Sequence, residues 1–266
     1  MALFKKIIDE VAGCIHSVNL HHRGEPLLHG ELTEMIKYCS RKTIRTQIHT
    51  NGTLLTDDLS RAIVEAKLNL ISFSFDGFDA PSYEGIRVGA DFKKTVSNIK
   101  KFIEIRRRLK SEGPRVVLEF IDFYNGDPEK ITRIEDLGRE IGPDQLIIKK
   151  AHNWGGSYTD PRTGDGVDNR WAFWPACTLP WYTLTIFWDG TVVACPQDFY
   201  GESAIGNVEN DSLFHLWNHP VQIEQRNQLK KKRIDHDPCR ACDRISQKQI
   251  LGIPTEPLKG FLKNLL

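Results

Sequence analysis

What the chain lacks narrows its function first. No apolar run in its 266 residues approaches bilayer length, and Lys5, Lys6, Asp9 and Glu10 interrupt the N-terminus too early for a secretory signal. A membrane-embedded or exported protein is therefore not expected, and the reading is cytoplasmic. An excess of one charge is missing too. Thirty-six Lys and Arg against 35 Asp and Glu leave a formal charge of +1, which offers no field for nucleic acid or an anionic membrane. The basic run Arg106-Arg-Arg-Leu-Lys110 is read as the solvated end of a helix. No internal repeat or low-complexity tract is present. Cysteine is sparse, six in all. Without an export signal these thiols are expected in a reducing compartment, as ligands or core residues in preference to disulfides.

What is present is ordinary in amount and regular in arrangement. A hydrophobic fraction of 40% in a chain of this length supports one large core and a small satellite. Leu3, Phe4, Ile7, Ile8 and Val11 form one helical stripe closed by Gly13, and residues Cys14 to His22 then read as a strand. Leu32, Met35, Ile36 and Cys39 recur at helical spacing, so Cys39 is read as core, and Cys14 as structural. Strands are expected at 43–50, 68–75, 115–123 and 145–151. Helices fall between them: one capped by Thr56 with Asp57 and Asp58 in its first turn, one striped by Phe92, Val96, Ile99 and Ile103, and one over 128–141. Five strands alternating with five helices imply a parallel sheet with right-handed crossovers, in which chemistry sits at the C-terminal strand ends. Those ends carry Gly24-Glu25-Pro26, Asn51-Gly52, Ser74-Phe-Asp76-Gly77 and His152-Asn153-Trp154, which as a set read as a site. The array opens on a helix where a strand is normal.

The remaining four cysteines organise the C-terminal third. Cys177 precedes Tyr182-Thr-Leu-Thr-Ile-Phe-Trp188, a β-rich run followed by the turn dipeptide Asp189-Gly190 and the returning Thr191-Val-Val-Ala194. Such a hairpin brings Cys177 beside Cys195. Cys239-Arg-Ala-Cys242 adds two sulfurs, and four thiolates in one volume suit tetrahedral zinc or an iron–sulfur cluster. Zinc ribbons commonly use two Cys-x-x-Cys knuckles and one is present here, and both zinc and a 4Fe–4S cluster stay open on the residues alone.

These residues resemble the radical SAM enzymes that carry a C-terminal SPASM-type auxiliary-cluster domain. Gly24-Glu25-Pro26 stands where that family ends its second strand. Asn51-Gly52-Thr53, Ser74-Phe-Asp76-Gly77 and the stretch holding Arg87 follow in order, and Cys177…Gly190-x4-Cys195, Gly206-Asn207-Val208, Leu213-x-x-Leu-Trp217 and Cys239-x-x-Cys242 match the SPASM pattern. The resemblance implies an α/β fold: a partial (β/α) barrel of about five parallel strands, its first strand missing, plus a small hairpin-containing cysteine-rich domain. The expected divisions are a barrel at 1–151, a linker at 152–176 whose three tryptophans cover substrate, the cluster domain at 177–246 and a tail at 247–266.

The same resemblance assigns residues. Gly24, Glu25 and Pro26 would face the methionine amino end of S-adenosylmethionine, Ser74 and Asp76 its ribose, Arg87 its carboxylate, and Asn51 and the backbone near Ala151 its adenosine. Cys177, Cys195, Cys239 and Cys242 would hold one auxiliary 4Fe–4S cluster. At most one of His21 and His22 faces the interior. A small-molecule or peptide substrate and an electron-donor protein are the implied partners, with no nucleic acid and no membrane.

Two departures limit this reading. The family's Cys-x3-Cys-x2-Cys loop, which holds the cluster that cleaves S-adenosylmethionine, is absent, since residues 1–23 contain only Cys14. An N-terminal truncation or late start is the favoured expectation, leaving an exposed strand edge and an inactive chain. A non-catalytic remnant and a zinc-stabilised α/β binding module are the alternatives. Secondly, Lys248 stands where a further SPASM cysteine is expected, which leaves ligands for one cluster. The run from Lys230 to Arg233 is read as a solvated face.

Overall fold

The computed structural model describes residues 1–157, 177–231, 239–246, 249–250 and 253–254. Two compact units meet at the Ala151–His152 boundary.

The first unit is an α/β array on five parallel strands: β1 (Ser17–Asn19), β2 (Arg45–Thr50), β3 (Leu70–Ser74), β4 (Arg115–Ile121) and β5 (Gln145–Lys149), in that spatial order. Around them run α1 (Ala2–Val11), α2 (Leu32–Arg41), α3 (Asp57–Glu65), α4 (Ala80–Ile86), α5 (Phe92–Arg108) and α6 (Pro128–Ile141). Strand alternation separates the faces. Ile48, Ile71, Phe73, Val116, Leu118 and Phe120 point to the helices and join Ile36, Ile63, Ile99, Phe102 and Ile134 in the core. The opposite face carries His49, Ser72, Glu119 and Lys149. The fold class is thus the α/β sheet expected.

The differences from expectation have local causes. Only Ser17–Asn19 pairs as a strand where Cys14 to His22 had the right composition, because β1 lies at the sheet's end and bonds to β2 alone. Cys14 is exposed in the preceding turn, so the structural role expected of it has no packing behind it, whereas Cys39 is fully buried and burial pushes its thiol up to about 11. A separate helix, α4, precedes α5. Its start is fixed by a capping box in which Asp79 accepts from the Ser82 N–H and the Ser82 hydroxyl accepts from the Asp79 N–H. Arg106 is not simply solvated: it forks onto Asp144, with one bond at 2.9 Å, and donates to the Pro114 carbonyl at 2.8 Å.

The second unit holds a three-stranded antiparallel sheet, β6 (Thr185–Ile186), β7 (Thr191–Val193) and β8 (Ala204–Asn207), followed by α7 (Leu213–Trp217) and α8 (Pro220–Lys230). A short antiparallel pair, β9 (Gln249–Ile250) and β10 (Ile253–Pro254), comes after. The β6–β7 connection runs from Phe187, whose carbonyl accepts from the Gly190 N–H at 3.0 Å. Gly190 has φ +83°, and a Cβ there would lie 2.7 Å from the Asn207 Oδ1, so glycine is required twice over. Asn207 secures the turn by donating to the Asp189 carbonyl at 3.0 Å. Most of the tryptophan-bearing loop, Lys248, the tail beyond Pro254 and the basic run past Lys231 lie outside the described residues.

Candidate functional site

The rim of the first unit gathers the motif residues at strand ends. Glu25, in the loop after β1, reaches across to the end of β2. Its carboxylate accepts from the Thr50 hydroxyl at 2.6 Å, the Asn51 N–H at 2.9 Å and the Leu27 N–H at 3.0 Å. Asn51 in turn closes its own turn, accepting from the Thr53 N–H at 2.9 Å and the Thr53 hydroxyl at 2.7 Å. Glu25 and Asn51 thus hold two loops together through side chains, and the Pro26 carbonyl accepts from the His29 N–H at 3.0 Å.

Ser74 ends β3 and leads into Asp76, a buried residue in the left-handed region at φ +62°. The Asp76 carboxylate accepts from the Ile121 N–H at 2.7 Å and forms an ion pair with Arg87, the residue that caps the C-terminus of α4. Gly77 lets this happen. A Cβ at that position would lie 2.5 Å from the Tyr83 backbone nitrogen, so only glycine allows α4 to fold back on the strand end. Asp76 and Arg87, eleven positions apart, are thereby brought into one contact. The Arg87 Nε is buried and has no hydrogen-bond partner among the described residues.

Below the rim, on the face away from the core, lies a polar row that motif reading passed over. The His21 and His49 rings stack at 4.2 Å, His49 Nδ1 lies 3.9 Å from the Glu119 carboxylate, and Lys149 Nζ is 2.5 Å from the same group. Burial, with the neighbouring His49 adding to it, pulls the His21 imidazole down to about 4, and burial also lowers His49. Of the two adjacent histidines considered for the interior, His21 is the one stacked there. The available signal for the others was period-two alternation extended from His49 to Glu119 and Lys149.

His152 and Asn153, expected at a barrel strand end, belong with the second unit. Asn153 donates to the Ala241 carbonyl at 2.7 Å and its N–H to Asp243 at 2.9 Å, while Arg244 Nη2 meets the His152 ring at 2.8 Å. These contacts brace the segment that carries Cys239 and Cys242.

That segment completes the second candidate site. Cys177, Cys195, Cys239 and Cys242 line one cavity with Pro180, Gln197, Gln225, Arg244 and Ile245. The hairpin returns Cys195 to Cys177, and the short 3-10 turn at Cys239–Ala241 offers the other pair. Burial pushes the Cys195 thiol up to about 12 and the Cys242 thiol up to about 11, and raises Cys177; charge on the companion cysteines adds to the shifts of Cys195 and Cys242. Bare, these thiols hold their protons at neutral pH, and iron or zinc would displace them. Among the described residues no group of three or more His, Cys, Asp or Glu is set to hold a metal ion, while the four sulfurs share the walls of a common cavity. A donor set of four thiolates, one per iron, fits a cluster, which is an extended body. No such fit exists for the cluster that cleaves S-adenosylmethionine, because the sequence contains no Cys-x3-Cys-x2-Cys triplet.

Known families match both stretches of the chain. Residues 4–112 match the radical SAM superfamily and residues 177–243 match the SPASM iron–sulfur cluster-binding domain. An AdoMet-dependent heme synthase of Methanosarcina barkeri is 30% identical over 139 residues, covering 52% of this chain and 38% of that protein. A tungsten-containing aldehyde ferredoxin oxidoreductase cofactor-modifying protein of Pyrococcus furiosus is 26% identical over 269 residues, 81% of this chain and 71% of its own length. The chain thus spans about two-fifths of the heme synthase and more of the second relative. Among solved structures, Streptococcus suis SuiB bound to precursor peptide SuiA superposes with a TM-score of 0.66 at 14% identity, covering 92% of this chain and 63% of SuiB. Native anSMEcpe with bound AdoMet gives 0.62 at 15% identity, covering 98% and 86%. At such identities the superpositions speak for the fold alone. The chain thus carries a radical SAM superfamily region at residues 4–112 and a SPASM iron–sulfur cluster-binding domain at residues 177–243.

Proposed function

We propose that this chain supplies the S-adenosylmethionine-binding rim and the auxiliary-cluster domain of a radical SAM oxidoreductase or maturase acting by hydrogen-atom abstraction on a peptide or small molecule. The observation that carries the reading is the convergence of Cys177, Cys195, Cys239 and Cys242 on one cavity within the stretch matched as SPASM. When bound there, a 4Fe–4S cluster supplies a one-electron acceptor. The residues around it do the rest. Cys195, Cys239 and Cys242 are buried, Pro180 and Ile245 add apolar wall, and Arg244 brings positive charge toward the Cys177 sulfur.

On the rim, Arg87 is the proposed partner for the cofactor's carboxylate, since a guanidinium fork suits that geometry and Asp76 already fixes its direction. Ser74 and Asp76 are the proposed ribose neighbours, main-chain groups of Gly24, Glu25 and Pro26 the proposed amino-end neighbours, and Asn51 the proposed adenosine neighbour. The three thiolates of the cleaving cluster are not in this sequence, and the chain by itself is expected not to cleave S-adenosylmethionine. The related proteins include a PqqA peptide cyclase of Granulibacter bethesdensis, 24% identical over 153 residues, which is the support for a peptide among the substrate classes. An electron-donor protein and a cytoplasmic setting complete the proposal.

Anaerobic reconstitution tests it. About four iron and four sulfide per chain are expected. Zinc without sulfide would replace this reading by the zinc-stabilised binding module. Reduced protein incubated with S-adenosylmethionine should release no 5′-deoxyadenosine.

A further inference from the structure

Each cysteine of the cavity faces an N–H donor. For three of them a donor is main chain and stands two residues on. The Leu179 N–H serves Cys177, the Gln197 N–H lies 3.4 Å from the Cys195 sulfur, and the Arg244 N–H serves Cys242. Such donors come with the turn and no side-chain substitution removes them. Cys239 receives something different. The side-chain Nε2 of Gln225, on α8, lies 3.3 Å from its sulfur.

The setting makes this glutamine unusual. The buried face of α8 consists of Gln222, Gln225 and Leu229, a place where helical spacing asks for apolar residues. Gln225 is 1% exposed, and its Oε1 has no hydrogen-bond partner among the described residues. An unmatched buried amide oxygen costs about 1–3 kcal/mol, so packing alone favours Leu or Met there. What the amide supplies in return is a donor aimed at a ligand sulfur. Opposite a thiolate the NH2 group is the end that must face the sulfur, because the carbonyl oxygen would meet like charge.

We propose that Gln225 is a positioning residue that raises the reduction potential of the cluster held by Cys177, Cys195, Cys239 and Cys242, by donating its Nε2–H to the Cys239 sulfur. The inference rests on the cluster reading above. One-electron reduction adds negative charge that spreads onto the sulfurs. An N–H···S bond strengthens with that charge and so favours the reduced form. In a cavity walled by Pro180 and Ile245 the preference is little screened by water. Gln222 is the internal control: it lies on the same helix face and is equally buried, but its Nε2 donates to the Ala194 carbonyl at 3.2 Å.

The test uses the full chain, anaerobically reconstituted and titrated with dithionite while the reduced cluster is followed by electron paramagnetic resonance. Gln225→Met keeps the length of the side chain and removes the donor, and Gln225→Glu puts an acceptor in its place. The midpoint should fall in the order wild type, Gln225→Met, Gln225→Glu, with iron and sulfide per chain unchanged in Gln225→Met. Gln222→Met should titrate as wild type does. A loaded Gln225→Met with an unmoved midpoint overturns the proposal, as does a Gln222→Met shift of equal size. Loss of iron from Gln225→Met would make the residue a structural strut and overturn it too. Wild-type protein lacking sulfide would end the cluster reading itself, and this proposal with it.

Discussion

Asp76 in the first unit and Cys195 in the second are both about 5% exposed or less, yet they answer burial differently. Asp76 gives its oxygens to the Ile121 N–H and the Arg87 guanidinium, and Glu25 likewise spends its carboxylate on Thr50, Asn51 and Leu27. The rim is a network closed on itself, laid over a core of Phe73, Phe75, Phe102, Phe120 and their aliphatic neighbours. In the second unit the cysteines are among the packed residues: Cys239 and Cys242 cluster with Leu229 and Ile245, and Cys177 lies against them, while Val192, Val193, Ile205, Val208, Leu213 and Leu216 are buried elsewhere in that unit. So small a cluster around the sulfurs gains little from burial alone, and a cofactor bound there would become folding free energy. The contrast is between a site closed by its own side chains and one whose packed thiols are open to a ligand.

The sharpest way to break that contrast is Cys242→Ser. Cluster content should fall to near zero, and amide exchange across β6–β8 and α8 should rise toward the unprotected rate, while β2–β4 stay protected. Equal loss of protection in both units would end the distinction. Next comes Phe73→Ala, which empties a fully buried site beside Phe102 and should cost about 3–5 kcal/mol, read as faster exchange in β2–β4 with iron and sulfide unchanged. The smallest of the three effects is on pH. His21 takes a proton near pH 6.5 when unfolded but only near 4 when folded, because burial and the adjacent His49 disfavour its charged form. Between those values the unfolded chain binds more protons, so the first unit loses stability as pH falls through that window, by on the order of 3 kcal/mol in all. Denaturant midpoints at pH 7.5 and 5 would show this drop, and His21→Gln should flatten it; an unchanged slope would remove His21 as its source.

The parts of this molecule legible in sequence are those where local rules and tertiary demands coincide. Pro128 to Ile141 folds as the helix its pattern asks for, between an Asp127 cap and Gly142 in the left-handed region. Thr56 caps α3 as expected, its hydroxyl accepting from the Leu59 N–H. Less was legible where a residue's role depends on partners distant in the chain. Arg87, by its position alone, suits an exposed helix end as well as a site; Gly77 and the turn of α4 settle it against Asp76. The row of His21, His49, Glu119 and Lys149 comes from three strands and the loop after β1, and no local motif joins them. Gln225 was invisible for the same reason, being one glutamine in a run rich in them.

The sequence by itself determined the strand–helix alternation, the motif turns and the identity of the four sulfurs, because short-range periodicity, turn chemistry and ligand type are written in neighbouring residues. Tertiary structure decided which polar groups are consumed by the fold and which face the cysteine sulfurs. That division depends on distances across the sheet and from α8 to Cys239, and such distances exist only once the chain has closed on itself.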